Sequence, residues 1–433
     1  MKLNGPARGW PSLSWLLACS CWLGSLSFVF AAQQETTQQM RPKIGLALSG
    51  GGARGFAHIG VLQWFEEHRI PVDYIAGTSM GGLVGGLYAT GMSPAELKKL
   101  VGELDWDTLL RGYPSFQQLS YRRKEDRVYI PGPITLGLRR GVRLPTGMNA
   151  GMEIGLVFDR IALPYANVGS FDQLPIPFRC VATDLIAAEP IVLKEGSLSR
   201  SLRATMSIPA LFTPVQIDGK ILADGGVLNN VPTDIVKEMG ADVVIAVDIG
   251  TPLGDKDSLN SFFGVLNQTS GVASMESIRR NLRLADLLIS PDLEKHTLMD
   301  FEASSAIADL GYKGAVQKAR LLQVFSLSEG EWEQHLARRR ARVLTEVPTP
   351  AFIKVEGSSS NGTELITGRL TNLAGKPIDS QELADELTKV WGTGRFERLN
   401  YAWVREPEKT GLLIRAQEKS YGPPFLDLGL LIN

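Results

Sequence analysis

Cysteine is scarce in this sequence, which limits its redox and metal chemistry. Three cysteines occur in 433 residues, and two of them, Cys19 and Cys21, lie in an apolar run near the N-terminus. Outside that run only Cys180 remains, in the strand-like segment "FRCVATDL", where a core position is expected. One cysteine can form neither an internal disulfide nor a cysteine-rich zinc site.

The sequence also has almost no net charge and few histidines. Lys and Arg number 45 against 46 Asp and Glu, a formal net charge of −1, and this balance gives no indication of a nucleic-acid partner. With 44% hydrophobic residues, the chain can bury a large core and should form two or three domains. The histidines, which are the commonest general bases, are His58, His68, His296 and His335.

The start of the sequence has one long apolar run. A basic segment precedes "LSWLLACSCWLGSLSFVF", and "AAQQETTQQ" follows it, which is the form of a secretory signal cleaved near Ala31 or Ala32. We therefore expect residues 1–31 to be a signal peptide and the rest to be exported to the periplasm, outer membrane, cell surface or medium. A membrane anchor is the alternative, since about 18 apolar residues can just span a bilayer. A lipoprotein signal at Cys19 is disfavoured because the run continues beyond it.

The stretch "KIGLALSGGGARGFAHIGVLQWFEEH", residues 43–68, predicts a buried strand, a glycine loop and a helix. Such a loop favours an anion, because the N–H groups at a helix start are free and glycines allow close approach. Residues 50–55 also fit the dinucleotide pattern G-x-G-x-x-G. In that fold an acid ends the second strand, whereas Asp73 begins it, so a negative charge that develops during a reaction is favoured over a nucleotide.

The second predicted strand ends in "GTSMG", residues 77–81, and a helix follows. This is the G-x-S-x-G nucleophile elbow, a turn so tight that glycines flank the serine; a serine that merely caps the helix is the alternative. Adjacent parallel strands would bring this turn and the glycine loop to one edge of the sheet. The N–H groups of Gly51 and Gly52 would then face the oxyanion formed when Ser79 attacks a carbonyl.

A serine hydroxyl needs a base to become a nucleophile, and Asp224 is a candidate. It ends a short apolar strand in "GKILADGGVLNNVP", although a hairpin turn is the alternative interpretation of Asp-Gly-Gly. An aspartate with a pKa near ~4 is a weak base for an alcohol, so it would have to contact the serine directly and be partly desolvated.

Together these motifs resemble those of bacterial patatin-like phospholipases. The resemblance covers about residues 43–325 and includes G-G-G-x-R-G, G-T-S-M-G and D-G-G in that order, with "VATDL" and "SIPALFTPV" before the last. It implies a three-layer α/β fold with a mostly parallel central sheet. It further implies a membrane phospholipid or related lipid ester as substrate, and neither cofactor nor metal.

The resemblance also implies a role for each motif residue. Ser79 would be the nucleophile and Asp224 its base, in a Ser-Asp dyad that needs no histidine. The oxyanion hole would comprise Gly50, Gly51, Gly52 and Arg54, and the elbow and loop glycines would be Gly77, Gly81, Gly225 and Gly226. Without the resemblance, an arginine in a first helical turn would be expected simply to be solvated.

A basic stretch lies between the elbow and the aspartate. From residue 111 to residue 143 there are eight Lys or Arg against Glu125 and Asp126, interleaved with aromatic residues and prolines. A solvated loop is one interpretation. A surface that attracts anionic lipid headgroups is the other.

The composition changes after Ser326. Residues 40–326 are expected to form the patatin-like domain and the charged residues 327–350 a linker, so that a chain ending near Thr345 should fold alone and stay active. Residues 351–420 predict the order β-α-α-β-β. This resembles a POTRA domain and implies a partner in outer-membrane assembly or secretion machinery. Residues 421–433 resemble the start of a truncated outer-membrane barrel.

Two other functions stay open on the sequence. Ser79, Asp224 and His296 follow the chain order of an α/β-hydrolase triad, although that fold normally places its elbow after several strands. A lipid-headgroup-binding module without activity would instead hold a phosphate in the glycine loop. The leading prediction is an exported hydrolase of lipid esters.

Overall fold

The computed structural model describes residues 41–129, 133–138, 142, 147–250, 258–260, 262–347, 349–407, 409–419 and 425–429. The predicted signal peptide lies outside this part of the chain. The chain divides into two compact units, Met1–Pro42 and Lys43–Asn433, and all helices and strands given below belong to the second. No helix among the described residues combines the length and apolar character needed to span a membrane.

The described residues form thirteen strands and fourteen α-helices. The strands are β1 (Ile44–Leu48), β2 (Tyr74–Thr78), β3 (Pro133–Gly137), β4 (Phe178–Asp184), β5 (Glu189–Leu193), β6 (Val215–Ile217), β7 (Lys220–Asp224), β8 (Val243–Val247), β9 (Leu287–Ile289), β10 (Ile353–Glu356), β11 (Phe396–Glu406), β12 (Lys409–Glu418) and β13 (Phe425–Gly429). The helices are α1 (Ala57–Glu67), α2 (Met80–Ala89), α3 (Pro94–Glu103), α4 (Trp106–Arg111), α5 (Tyr121–Tyr129), α6 (Met152–Ala162), α7 (Leu198–Thr205), α8 (Thr233–Glu238), α9 (Phe262–Leu282), α10 (Ser304–Gln317), α11 (Ala319–Leu322), α12 (Glu329–Arg340), α13 (Ser360–Leu370) and α14 (Ser380–Trp391).

The main sheet has eight strands in the order β6-β7-β4-β2-β1-β8-β9, with β5 also paired to β4. The five strands from β4 to β9 in this order are parallel, which confirms the predicted mostly parallel α/β sheet. At the other end β5 and β7 run antiparallel to β4, and β6 runs antiparallel to β7. The sheet is therefore mixed.

Both faces of the sheet are covered, as the continuous apolar run of β1 predicts. Ile44, Leu46 and Leu48 point into the large core that also contains the apolar sides of α1 and α2. The alternate residue Ala47 packs on the opposite face with Val236 of α8. This alternation produces the three layers that the sequence predicts.

The C-terminal module, β10 to β12 with α13 and α14, has the predicted order β-α-α-β-β. Its strands lie in the order β10-β12-β11, with β10 parallel and β11 antiparallel to β12. The identity of this small sheet as a POTRA domain stays a prediction. Strand β13, in the segment predicted to begin a barrel, pairs antiparallel with β3.

The C-terminal module shares its core with helix α6. Met152 and Leu156 of α6, and Leu163 directly after it, are buried in the same apolar cluster as the side chains of α13, α14, β11 and β12. The backbone N–H of Tyr401, on β11, also donates to Asp159 Oδ2 of α6 at 3.1 Å.

The predicted linker, residues 327–350, is also packed against the main sheet's helices. Helix α12 begins in it, and Arg339 is buried, with its guanidinium 4.5 Å from the Tyr88 ring. Arg339 Nη1 donates to Tyr88 Oη at 2.9 Å and lies 3.3 Å from Glu66 Oε1. The charged segment that was predicted to be a linker therefore contains a helix that packs on α1 and α2.

The sequence predicts that a chain ending near Thr345 folds alone and stays active, and because of the shared core we expect such a chain to be less stable than the full chain. Removal of the module would expose Met152, Leu156 and Leu163. Burial of each of these side chains contributes roughly 1.5–3 kcal/mol to the free energy of unfolding. Thermal unfolding of both chains is the measurement. Equal melting temperatures would show that the module is an independent domain.

Candidate active site

Strand register brings Ser79 and Asp224 together. Strand β5 pairs with residues 180–184 of β4 and so occupies one edge of β4. Strands β2 and β7 pair with residues of β4 that overlap this range, and both must therefore lie along its other edge. Thr78 at the end of β2 is opposite Val181, and Asp224 at the end of β7 is opposite the next residue, Ala182. The two strands therefore meet end to end, and the residue after Thr78 lies beside Asp224.

Ser79 occupies a strained turn between β2 and α2. Its φ of 54° and ψ of −124° lie outside the conformations that a residue with a side chain prefers. The turn is also tight: a methyl group on Gly77 would lie 2.4 Å from the Gly81 carbonyl oxygen. These features are those of the predicted nucleophile elbow. The Ser79 N–H is held by Thr205 Oγ1 at 3.0 Å.

The two side chains are in direct contact. Ser79 Oγ donates to Asp224 Oδ2 at 2.5 Å, and the Gly226 N–H donates to Asp224 Oδ1 at 2.7 Å. Burial raises the pKa of Asp224 to about 6, although the hydrogen bonds from Ser79 and Gly226 act in the opposite direction. Asp224 is thus a stronger base than an exposed aspartate while remaining mostly ionised at neutral pH.

The glycine loop offers two N–H groups. In the described part of the chain, the Gly51 and Gly52 N–H groups have no acceptor, whereas the Gly50 N–H donates to the Asn230 carbonyl at 3.2 Å. Gly52 has a φ of +53°, and a methyl group there would lie 2.4 Å from the Leu298 carbonyl oxygen. The loop can therefore stabilise an anion through two of its three glycines.

Arg54 is buried beside Asp248, and no hydrogen bond among the described residues connects it to the serine or the aspartate. Burial lowers its pKa, an effect that the nearby carboxylate of Asp248 opposes. The structure thus buries Arg54 in the protein interior, rather than leaving it in solvent.

The histidines make other contacts. His58 is fully buried with Nε2 2.8 Å from the Ser49 carbonyl oxygen, and burial lowers its pKa to about 4, so it is neutral at physiological pH. His296 Nδ1 lies 3.6 Å from Asp300. His68 stacks on Trp64, and His335 on Trp332.

Several supporting residues were not predicted from the sequence. Thr205 holds the Ser79 N–H, and the Ser207 carbonyl accepts from the Asp224 N–H at 2.9 Å. Asn229 contacts Thr78 at the end of β2, and Asn230 contacts Gly50 in the glycine loop. The segments "SIPALFTPV" and "LNNVP" include three of these residues, but nothing in their local pattern indicates which distant backbone groups they bind. Within the described ranges, no cluster of three or more His, Cys, Asp or Glu side chains is arranged to hold a metal ion.

Comparison with known proteins relates this arrangement to a protein family. The model of the patatin-like phospholipase family matches residues 46–237, a range that includes Ser79, Asp224 and the glycine loop. This part of the chain is therefore similar to patatin-like phospholipase domains, as the three motifs predict. The catalytic roles of the individual residues remain predictions.

Individual relatives agree with the family match. A patatin-like phospholipase domain-containing protein of Caenorhabditis elegans is 31% identical over 62% of this chain and 20% of its own length. An uncharacterized NTE family protein of Mycobacterium bovis is 34% identical over 48% of this chain and 49% of its own. The human patatin-like phospholipase domain-containing protein 6 is 34% identical over 51% of this chain and 14% of its own length. The chain spans less than half the length of these relatives.

One solved structure, that of VipD from Legionella pneumophila, aligns with 70% of this chain and 74% of its own, at 17% identity and a TM-score of 0.37.

We expect Asp224→Asn to raise the melting temperature at pH 8. The pKa of Asp224 is raised by burial to about 6 from the ordinary ~3.9, so its ionisation destabilises the fold increasingly as the pH rises from about 4 to above 6. A neutral amide removes that cost, which is on the order of 1–3 kcal/mol. The stabilisation should vanish at pH 4, and thermal unfolding at both pH values measures it.

Asp184 provides a control of opposite sign. The N–H group of Ile186 holds its pKa below the ordinary value, so Asp184→Asn should lower the melting temperature at pH 8. If Asp224→Asn also lowers it, Asp224 is not held at an energetic cost.

Proposed function

We propose that the protein is a lipid acyl hydrolase in which Ser79 and Asp224 act as a two-residue dyad. The observation that carries the proposal is the 2.5 Å hydrogen bond from Ser79 Oγ to Asp224 Oδ2. A serine, its base and a pair of anion-binding N–H groups converge at one edge of the sheet. These are the parts that acyl transfer requires.

In the first half of the reaction, Asp224 Oδ2 accepts the Ser79 proton as Oγ attacks the ester carbonyl carbon. The carbonyl oxygen becomes an oxyanion, which the N–H groups of Gly51 and Gly52 stabilise. The Gly50 N–H is already used within the protein, so we assign the oxyanion hole to the other two glycines. The tetrahedral intermediate collapses, Asp224 returns the proton to the leaving alcohol, and the acyl group remains on Ser79.

In the second half, a water molecule takes the place of the alcohol. Asp224 accepts its proton while the water oxygen attacks the acyl carbonyl, and the same N–H groups stabilise the second oxyanion. Collapse releases the fatty acid, and the proton returns to Ser79 Oγ. The pKa of about 6 at Asp224 favours both proton transfers over those of an ordinary aspartate.

The dyad is favoured over the two alternatives by specific contacts. A triad would insert the imidazole of His296 between serine and acid, whereas Ser79 already contacts Asp224 and His296 lies beside Asp300. A binding module for headgroup phosphate would need the free N–H groups. It would not need a serine held at a φ of 54° against a buried carboxylate, both of which cost stability.

A phospholipid or related lipid ester in a membrane is the proposed substrate class. One relative, of Emericella nidulans, is named a lysophospholipase and is 28% identical over 69% of this chain and 20% of its own length. On this chain, the stretch from Phe116 through α5 exposes apolar side chains among basic ones: Phe116 is 52% exposed, Tyr121 78% and Val128 68%. Such a surface suits an anionic bilayer.

Location and partners are part of the same proposal. The N-terminal apolar run supports export, to the periplasm, the outer membrane or beyond, where a membrane substrate would be met. The β-α-α-β-β order of the C-terminal module supports contact with outer-membrane assembly or secretion machinery, as its resemblance to a POTRA domain implies.

Activity of the purified chain on a panel of phospholipids, with products identified by mass spectrometry, tests the dyad. We expect free fatty acid and lysophospholipid from the wild type. Ser79→Ala and Asp224→Asn should each reduce turnover by roughly 10²- to 10⁴-fold, because the hydroxyl is absent or not deprotonated. Turnover of the wild type should rise with pH through about 6 as Asp224 ionises.

His296→Asn is the matched control and should change turnover by less than about tenfold. Loss of activity in this variant, with an unchanged melting temperature, would favour the triad. Absence of any ester hydrolysis by a folded wild type would favour the binding module.

The membrane surface is tested separately from hydrolysis, in a Ser79→Ala background. Arg122→Gln with Lys124→Gln should weaken flotation with anionic phosphatidylglycerol vesicles by roughly 10-fold to 30-fold, since each basic residue contributes about 1 kcal/mol near such a surface. Glu125→Gln, on the same helix, should not weaken binding. Equal flotation of all variants would show that α5 does not face the bilayer.

A further inference from the structure

The loop that follows Asp224 contacts both of the other catalytic segments. Asp224 itself receives the Ser79 hydrogen bond. Five residues later, the Asn229 carbonyl accepts from Thr78 Oγ1 at 2.8 Å, next to the elbow. Asn230 then contacts Gly50 in the glycine loop. One short segment thereby joins the base, the nucleophile and the anion-binding loop.

Asn230 forms hydrogen bonds with both the N–H and the carbonyl of Gly50. The Gly50 N–H donates to the Asn230 carbonyl at 3.2 Å, and Asn230 Nδ2 donates to the Gly50 carbonyl at 3.3 Å. The amide orientation is the one that the chemistry requires, because only the NH₂ group can donate to a carbonyl oxygen. Asn230 is 7% exposed, so water does not readily replace these bonds.

The bond to the Gly50 carbonyl determines where the Gly51 N–H points. The carbonyl of Gly50 and the N–H of Gly51 belong to one planar trans peptide group, so the two point in opposite directions. Fixing the carbonyl toward Asn230 thus fixes the N–H on the far side. An external anchor matters here because glycines let a backbone rotate at little energetic cost.

Asn230 can act as an anchor because its own loop is held. Asn281 Nδ2 donates to Asn229 Oδ1 at 2.9 Å, and Asn229 Nδ2 donates to Asp234 Oδ2 at 3.0 Å. These side chains form a buried polar cluster against the segment that leads into α8. The position of Asn230 is therefore set independently of the glycine loop.

We propose that Asn230 is a positioning residue that aims the Gly51 N–H at the oxyanion formed during acyl transfer. The inference rests on the proposed hydrolase function. Asn230 acts through Gly50 and Gly51 and touches no reacting atom. Its contribution is to the transition state, where the oxyanion exists, rather than to binding of the ester.

The experiment compares Asn230→Ala and Asn230→Asp in the full chain, on a soluble aryl ester. Both should lower kcat by roughly 10- to 100-fold with KM changed by less than about threefold, because the donor is displaced rather than removed. The inhibition constant of a trifluoromethyl ketone, whose adduct carries an oxyanion, should rise by the same factor as kcat/KM falls. The acid limb of the pH profile of Asn230→Ala should stay near that of the wild type.

Asn230→Asp separates positioning from packing. Aspartate has the size of asparagine, but its carboxylate cannot donate to the Gly50 carbonyl and repels it. It should therefore be at least as damaging as alanine, whereas a packing role would make it the milder change. Leu97→Ala, which truncates a buried side chain on α3, is the stability control and should lower the melting temperature without changing kcat.

The outcomes distinguish this inference from the proposed function. If a serine-directed phosphonate fails to label Ser79 in the wild type, the hydrolase proposal itself is wrong. If the wild type is labelled and both Asn230 variants keep kcat within threefold, the positioning role is overturned. It is also overturned if Asn230→Asp keeps wild-type inhibitor affinity while Asn230→Ala loses it.

Discussion

The end-to-end placement of β2 and β7 along one edge of β4 is the constraint on which the site depends. Because β5 occupies the other edge of β4, β7 can pair only where β2 stops. Ser79 and Asp224 are thereby neighbours through the sheet itself, and no third side chain is needed to bridge them. A parallel strand in place of β7 would begin beside the end of β2 and carry its last residue away from Ser79.

This placement is energetically costly, and helix α7 helps to maintain it. Ser79 is strained and Asp224 is ionised while buried, each a cost on the order of 1–3 kcal/mol. Thr205, at the end of α7, accepts a hydrogen bond from the Ser79 N–H through its Oγ1. The carbonyl of Ser207, two residues further on, accepts one from the Asp224 N–H. At the start of the helix, Ser199 donates to Asp159, which also binds the Tyr401 N–H of the C-terminal module. The module is therefore connected to Ser79 and Asp224 through α6 and α7.

What the sequence predicted correctly depends on local patterns. The glycine loop, the elbow and the Asp-Gly-Gly turn are each short and follow apolar strands, so their elements and their common sheet edge could be predicted. The order of the C-terminal elements was predictable for the same reason. The antiparallel direction of β7, the supports at Thr205 and Asn230 and the core shared with α6 all depend on contacts between distant segments. No local pattern encodes those contacts, and a charged, proline-closed stretch such as residues 327–350 has the same composition whether or not its helix is docked.

A second buried Ser-Asp pair shows which features distinguish the candidate site. Ser199 donates to Asp159, and burial raises the pKa of Asp159 to about 6, as for Asp224. Exposure does not separate the pairs either: Ser199 is 5% exposed and Asp159 4%, against 6% for both Ser79 and Asp224. Ser199, however, lies within the regular helix α7, and the second oxygen of Asp159 is committed to the Tyr401 N–H of the neighbouring module. The contact and the raised pKa thus occur at both buried Ser-Asp pairs, whereas Ser79 also has a strained elbow and shares its sheet edge with the glycine loop, which is why we propose acyl transfer at Ser79.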